Sequence, residues 1–235
     1  MQKNIAQKII EVNRQFYQNF GAEFSATRGR IQPGVRKILG RIGRDQSILD
    51  LGCGNGEFAR QLAKSGHAAP YLGVDFSLPL LEDAKSLPEQ YPAEFLAFDI
   101  TADDWTRLPR GYDLITAFAL LHHIPSEAMR LQFFAHIRKH LAPQGRFIFS
   151  TWQFLNAERL RQRIQNWDVV GIRAEDVDEG DYLLDWRRGG LGFRYAHQYS
   201  EAELAALAEK SGFRVIETFY SDGATKNLGL YQIWK

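Results

Sequence analysis

Ile48-Leu49-Asp50-Leu51-Gly52-Cys53-Gly54-Asn55-Gly56 is a short apolar run carrying an acid, followed by three glycines at alternate positions. Glu57 to Lys64 then continues with helix-forming residues. Glycines so placed let the backbone turn tightly and let a ligand lie on bare main chain at a helix N-terminus. The dinucleotide fingerprint G-x-G-x-x-G is a rival reading, but here the third glycine comes one residue early and Glu57 stands in its place. The pattern is D-x-G-x-G-x-G. Cys53 lies inside the loop, where a small side chain is needed, and its position there does not by itself indicate a catalytic thiol.

Four further strand-like runs follow in order. Tyr71-Leu72-Gly73-Val74-Asp75 ends in an acid that can take a ribose diol on its two carboxylate oxygens, with Phe76 beside it. Glu94 to Ala97 leads into Phe98-Asp99-Ile100, and Tyr112 to Phe118 leads into Ala119-Leu120-Leu121-His122-His123-Ile124-Pro125. Leu141-Ala142-Pro143-Gln144-Gly145 reads as a turn before a strand from Arg146 to Thr151. This series resembles the class I S-adenosylmethionine (SAM)-dependent methyltransferases, whose motif I is the glycine pattern above. The resemblance implies an α/β, Rossmann-like class I methyltransferase fold: a seven-stranded, mostly parallel sheet closed by a C-terminal antiparallel hairpin. Phe213 to Phe219 and Leu228 to Trp234, alternating and aromatic-rich, suit that hairpin. Ser200 and Glu203 form a capping box for the helix before it. The resemblance also implies SAM as cofactor. Asp50, Gly52, Cys53, Gly54 and Gly56 would line its aminoacyl part, Asp75 and Phe76 its ribose, Asp99 and Ile100 its adenine, and Ala117 its methionine moiety.

With 235 residues, 45% of them hydrophobic, the chain suits one domain with an elaboration. It opens with no apolar leader, and no stretch is long enough to span a membrane, so a cytoplasmic location is expected. The single cysteine excludes an internal disulfide, and no Cys/His cluster has zinc spacing, so no metal site is expected.

Charge is uneven. Residues 1–44 hold nine Lys or Arg against two Glu, a net of +7, so in a chain of net +1 the remainder sums to −6. A basic segment beside an acidic body is one footprint of a polyanionic partner, and also the ordinary solvated face of a terminal helix. Ile5, Ile9, Val12, Phe16 and Phe20 recur at helical spacing, so this arm is expected to dock on the body. Pro33 opens a second helix.

Phe24-Ser25-Ala26-Thr27-Arg28, the pair His122-His123 and the element Arg194-Tyr195-Ala196-His197 resemble the tRNA wobble-uridine carboxymethyl methyltransferases, which esterify a carboxylate on a modified anticodon uridine. The chain differs in having Gln32 near a family tryptophan position and Trp152-Gln153-Phe154-Leu155-Asn156 after the fifth strand. The family's enzymes can need a small activator subunit, so one is a possible partner beside the tRNA.

These readings divide the chain into a helical arm, residues 1–44, and a methyltransferase domain, residues 45–235, with a lid inserted at about 154–199. Insertions this long tend to be functional. The lid carries seven arginines and eight acids, and Asp185-Trp186-Arg187-Arg188-Gly189-Gly190 within it joins a flat aromatic, two guanidiniums and flexible glycines. Such a group suits a stacked base and a clamped anion, or simply arginines paired with Asp181 and Asp185. For a carboxylate acceptor the candidate clamps are Arg28, Arg187, Arg188 and Arg194. A hydroxyl or amine acceptor would need a base, for which His123 and His197 are candidates. Three functions follow: methylation of a tRNA carboxylate, methylation of a small metabolite (carboxylic acid, phenol or quinone precursor), or a non-catalytic SAM-binding subunit.

Overall fold

The computed structural model describes residues 1–26, 30–88 and 90–235. In chain order, helices α1 (Lys3–Ala26) and α2 (Pro33–Leu39) precede strand β1 (Ile48–Leu51), α3 (Glu57–Lys64), β2 (Tyr71–Asp75), α4 (Leu78–Ala84) and β3 (Ala93–Ala97). Then come β4 (Tyr112–Phe118), α5 (Glu127–His140) and β5 (Leu141–Trp152). A short helix α6 (Glu158–Arg161) and strands β6 (Ile164–Gln165), β7 (Asp181–Trp186) and β8 (Gly192–His197) follow, before α7 (Glu201–Lys210), β9 (Val215–Ser221) and β10 (Gly229–Trp234).

Seven strands form one sheet in the order β3-β2-β1-β4-β5-β10-β9. The pairs among β1 to β5 are parallel, and β10 runs antiparallel to both β5 and β9. This is the Rossmann-like, seven-stranded arrangement with a C-terminal antiparallel hairpin. Successive strand side chains point to opposite faces. Leu49, Ile115, Phe147 and Trp234 pack with Phe134, Ile137 and Leu204 on one face. Ile48, Leu114, Ile148 and Ile233 pack with Val35, Ile38, Phe58 and Leu62 on the other. A strand covered on both sides reads as a continuous apolar run, as β1 and β4 do.

Three details refine the expectation. The Leu141 to Gly145 turn belongs to β5 as an irregularity: Tyr112 pairs with Leu141 and Leu114 with Arg146, so the intervening residues bulge. The insertion is no irregular loop, for β6, β7 and β8 form a three-stranded antiparallel sheet of their own. And α1 docks on that second sheet, where Ile5 and Ile9 join Trp167, Ile172, Leu183 and Tyr195 in one buried cluster. The side chain of Asn13 fixes the contact, accepting from Tyr195 N at 2.7 Å and donating to Tyr195 O at 3.3 Å. Among the described residues no helix is long and apolar enough to cross a membrane.

Candidate active site

The main sheet's strand order reverses between β1 and β4, which opens a crevice beyond their carboxyl ends. A cavity of about 980 Å³ lies there. The glycine loop forms its floor. Gly52, Gly54 and Gly56 all have positive φ, at 69°, 55° and 75°, a region costly for residues with a Cβ. Gly52 N and Cys53 N both donate to Val74 O, at 2.8 and 3.1 Å, tying the loop to the end of β2. A Cβ on Gly56 would come within 2.9 Å of Ala84 Cα, whereas one on Gly54 would meet nothing within 4 Å. Gly54 thus presents bare backbone to the cavity.

Three acids stand around that loop. Asp50 accepts from Thr116 Oγ1 and Tyr71 Oη, both at 2.6 Å. Burial pushes its carboxyl up to about 6, against the lowering effect of those two bonds. Asp75 accepts from Gly54 N and Ser77 N, each at 2.9 Å. Its carboxyl is also raised by burial, with those amides working in the opposite direction. Asp99 differs. Burial would raise it, but bonds from Thr101 and Arg14 outweigh that and hold it below the usual carboxylate range. Burial and the nearby Asp50 and Asp75 push the Cys53 thiol well up, so it is held protonated.

Of the expected cofactor residues, Asp50, Gly52, Cys53, Gly54, Asp75, Phe76, Asp99 and Ile100 line this one cavity. Gly56 and Ala117 are not in its lining. Gly56 sits against α4, and Ala117 is fully buried in the sheet, its place at the wall taken by Phe118, Ala119 and Leu120.

The opposite wall is basic and aromatic. Arg187, Arg188 and Arg194 line it, joined by Arg159, Arg163, Trp152 and Trp186. The Arg194 guanidinium lies 4.4 Å from the Trp152 ring centre, 5.6 Å from Phe16 and 5.8 Å from Trp186. Asp185 accepts from Arg187 Nε at 2.7 Å and from Arg163 Nη1 at 3.3 Å, so these two arginines share one acid. Arg28 and Thr27 lie outside the described residues.

His197 is misplaced for a base. It is 1% exposed and lines no part of the cavity. Its Nδ1 meets Asp181 at 2.6 Å and its Nε2 meets Glu203 at 2.9 Å, while Arg130 and Tyr195 also bond Asp181. Two carboxylates flank the ring because Glu203, which the capping box would have sent to the helix start, turns to His197 and Arg130. Ser200 still caps α7, its Oγ accepting from Glu203 N at 3.1 Å. His123 lines the cavity, but Tyr195 O, 3.0 Å from its Nδ1, can only accept. Asn13 Nδ2 also lies 3.2 Å from that Nδ1, and the Tyr17 hydroxyl lies 2.9 Å from Nε2. His122 Nδ1 accepts from Trp152 N at 3.3 Å.

Sequence reasoning missed the contribution of α1. Ile10, Asn13, Arg14 and Tyr17 roof the cavity, and Arg14 Nη2 reaches Asp99 Oδ2 at 2.8 Å. The apolar face of α1 was legible; that its neighbouring polar face looks onto the cavity carried no local signal. The basic arm is also less free than its count implies. Lys37 and Arg41 pair with Glu217, and Arg44 Nε donates to Gly66 O at 2.7 Å.

A bare glycine backbone, a ribose-type acid on β2, a polar corner on β3 and a volume at the upper end of ligand cavities together fit SAM with an acceptor beside it. Comparison with known proteins agrees. A family model described as a methyltransferase domain matches residues 24–218. A protein of Encephalitozoon cuniculi named as a methyltransferase is 28% identical over 86% of this chain and 87% of its own length. The ubiquinone biosynthesis O-methyltransferase of Coxiella burnetii is 32% identical over 74% of this chain and 66% of its own. The "Probable tRNA methyltransferase 9B" of Mus musculus is 24% identical over 66% of the chain, which spans about a third of that relative, 32%. Among solved structures, a SAM-dependent methyltransferase of Methanosarcina mazei shares the fold with a TM-score of 0.65 at 21% identity, covering 87% of this chain and 97% of the other. A complex titled DhpI-SAM-HEP does so with a TM-score of 0.69 at 21% identity, covering 97% and 98%. The chain belongs to the methyltransferase-domain family and is a class I, SAM-dependent methyltransferase.

Proposed function

We propose that the chain methylates a carboxylate, and that the carboxylate is borne by a modified tRNA uridine. The observation that carries the anionic acceptor is Arg194, a guanidinium stacked on Trp152 at 4.4 Å in the wall of the cavity that also contains Gly54 and Asp75. SAM supplies an electrophilic methyl group. The chain's part is to align the acceptor oxygen with it, which in the best intramolecular cases is worth about 7–11 kcal/mol. In this reading Gly52 and Gly54 seat the aminoacyl end, Asp75 the ribose, and Asp99 with Ile100 the adenine. Arg194 orients the acceptor, with Arg187 and Arg188 beside it. A carboxylate is ionised at neutral pH and needs no base, consistent with His197 being buried away from the cavity and with Nε2 of His123 being occupied by Tyr17. Aromatic rings next to a guanidinium also suit a flat base.

The tRNA reading is supported by the His-His and R-Y-x-H elements, by the relative named for tRNA methylation, and by the arginines of the second sheet. A second reading, a small carboxylic acid, draws on one specific observation: Arg14, Lys37 and Arg41 of the arm are paired with acids of the body, which reduces the surface open to a polyanion. Methyl transfer from labelled SAM to bulk tRNA lacking the modification, and in parallel to a protein-free metabolite extract, separates the two. Base-labile label in tRNA is expected, and it should fall steeply with added salt. Label confined to the metabolite pool would replace the tRNA reading with the second; base-stable label would remove the carboxylate.

A further inference from the structure

We propose that Arg14 of α1 is a positioning residue of the cofactor site, holding Asp99 so that its outer oxygen receives the 6-amino group of the adenine ring. The inference rests on the reading of Asp99 as the adenine corner and deepens it, because nothing in the glycine loop or the strand ends points to a residue on the arm.

Asp75 pairs in register with Ala97, two residues before Asp99, so the acids of β2 and β3 sit on neighbouring strand ends, about 5 Å apart in the pairing direction. A nucleoside whose ribose lies at Asp75 therefore brings its base to Asp99. Asp99 Oδ1 is fully used, accepting from Thr101 N at 2.8 Å and Thr101 Oγ1 at 2.6 Å. Oδ2 receives one donor among the described residues, Arg14 Nη2 at 2.8 Å. A carboxylate oxygen accepts two hydrogen bonds, so Oδ2 has room for one more donor, and its direction is set by the arginine. Asp103 braces the corner from the other side, accepting from Asp99 N at 2.8 Å. Arg14 is itself oriented by Glu11, one turn earlier, at 2.7 Å.

The arm gives this bond its reach. The same helix is fastened to β8 through Asn13 and to the loop after β4 through Tyr17. Arg14 therefore does not search solvent for Asp99; it is delivered by a docked element. A purine with a 6-oxo group would present an acceptor to Oδ2, and two acceptors repel. Arg14 thus sharpens the choice of amino over oxo purine at the position Asp99 reads.

The test compares two ligands by calorimetry on the full chain: S-adenosylhomocysteine, and S-inosylhomocysteine, which carries the 6-oxo group. Arg14→Ala should weaken the adenosyl ligand about tenfold and leave the inosyl ligand within twofold of the wild type. Arg14→Lys should restore most of the loss. An unchanged adenosyl affinity in Arg14→Ala would overturn the proposal. So would an equal loss for both ligands, which would mean that α1 had merely loosened. Should the wild type bind the two ligands alike, Asp99 is not the adenine corner, and the underlying reading fails before Arg14 is tested.

Discussion

Gly54 and Gly56 share a left-handed backbone but differ in what surrounds them. An alanine at either costs about 1–2 kcal/mol of backbone strain. At Gly56 the new methyl also strikes Ala84, 2.9 Å away, while at Gly54 it enters open cavity. Denaturant unfolding should therefore find Gly56→Ala the less stable by a further ~1–3 kcal/mol, and calorimetry should find Gly54→Ala the weaker SAM binder. The reverse order would place the ligand elsewhere on the loop. Asp50 gives a pH signature. Its folded-state carboxyl titrates at about 6, above the ordinary 3.8, because burial outweighs the bonds from Thr116 and Tyr71. Between those values the folded protein keeps a proton that the unfolded chain has released. Stability from this group is accordingly full below the unfolded value and falls as pH rises towards about 6, by up to ~3 kcal/mol. Asp50→Asn should flatten that slope in urea titrations at pH 4.5 and 7; an identical slope in the variant would show that another group carries it.

At the scale of elements, α1 and the second sheet act as one roof. Asn13 is 6% exposed and spends its amide on both backbone groups of Tyr195. Removing it leaves a buried N–H without its acceptor, a loss of about 1–3 kcal/mol. Hydrogen exchange of Asn13→Ala should speed up across residues 3–26 before it does in β1 or β4. Uniform acceleration through the whole chain would mean that α1 is not a separately releasable unit. What the sequence disclosed about these elements follows the range of the forces involved. Strands β1, β2 and β4, helices α3 and α7, and the acid at Asp75 were legible because apolar runs, caps and glycine spacing are local patterns. The pairing of Tyr17 with His123 joins residues 106 apart, and the Arg14–Asp99 bond joins residues 85 apart; neither leaves a mark on its neighbours in the chain. His197 was misread for the same reason. Its R-Y-x-H setting was visible, but the two carboxylates that enclose it come from β7 and α7.

At the scale of the molecule, the seven-stranded sheet supplies the floor of the cavity, and the inserted sheet with α1 supplies its wall and roof, where the proposal puts the acceptor and the adenine. The floor follows the fold's topological rule that ligands lie beyond the carboxyl ends at the strand-order reversal. The wall and roof are where this chain adds its own chemistry, and fold alone does not choose the acceptor. The proposed chemistry therefore depends first on the cofactor lying over β1 and β2. Calorimetric titration of SAM into the wild type and into Asp75→Ala, with circular dichroism to verify the fold, tests this directly. One SAM per chain is predicted, with affinity at least about tenfold weaker in the variant, as expected for loss of hydrogen bonds to a charged acceptor. Unchanged affinity in a folded Asp75→Ala protein would contradict the placement of the cofactor.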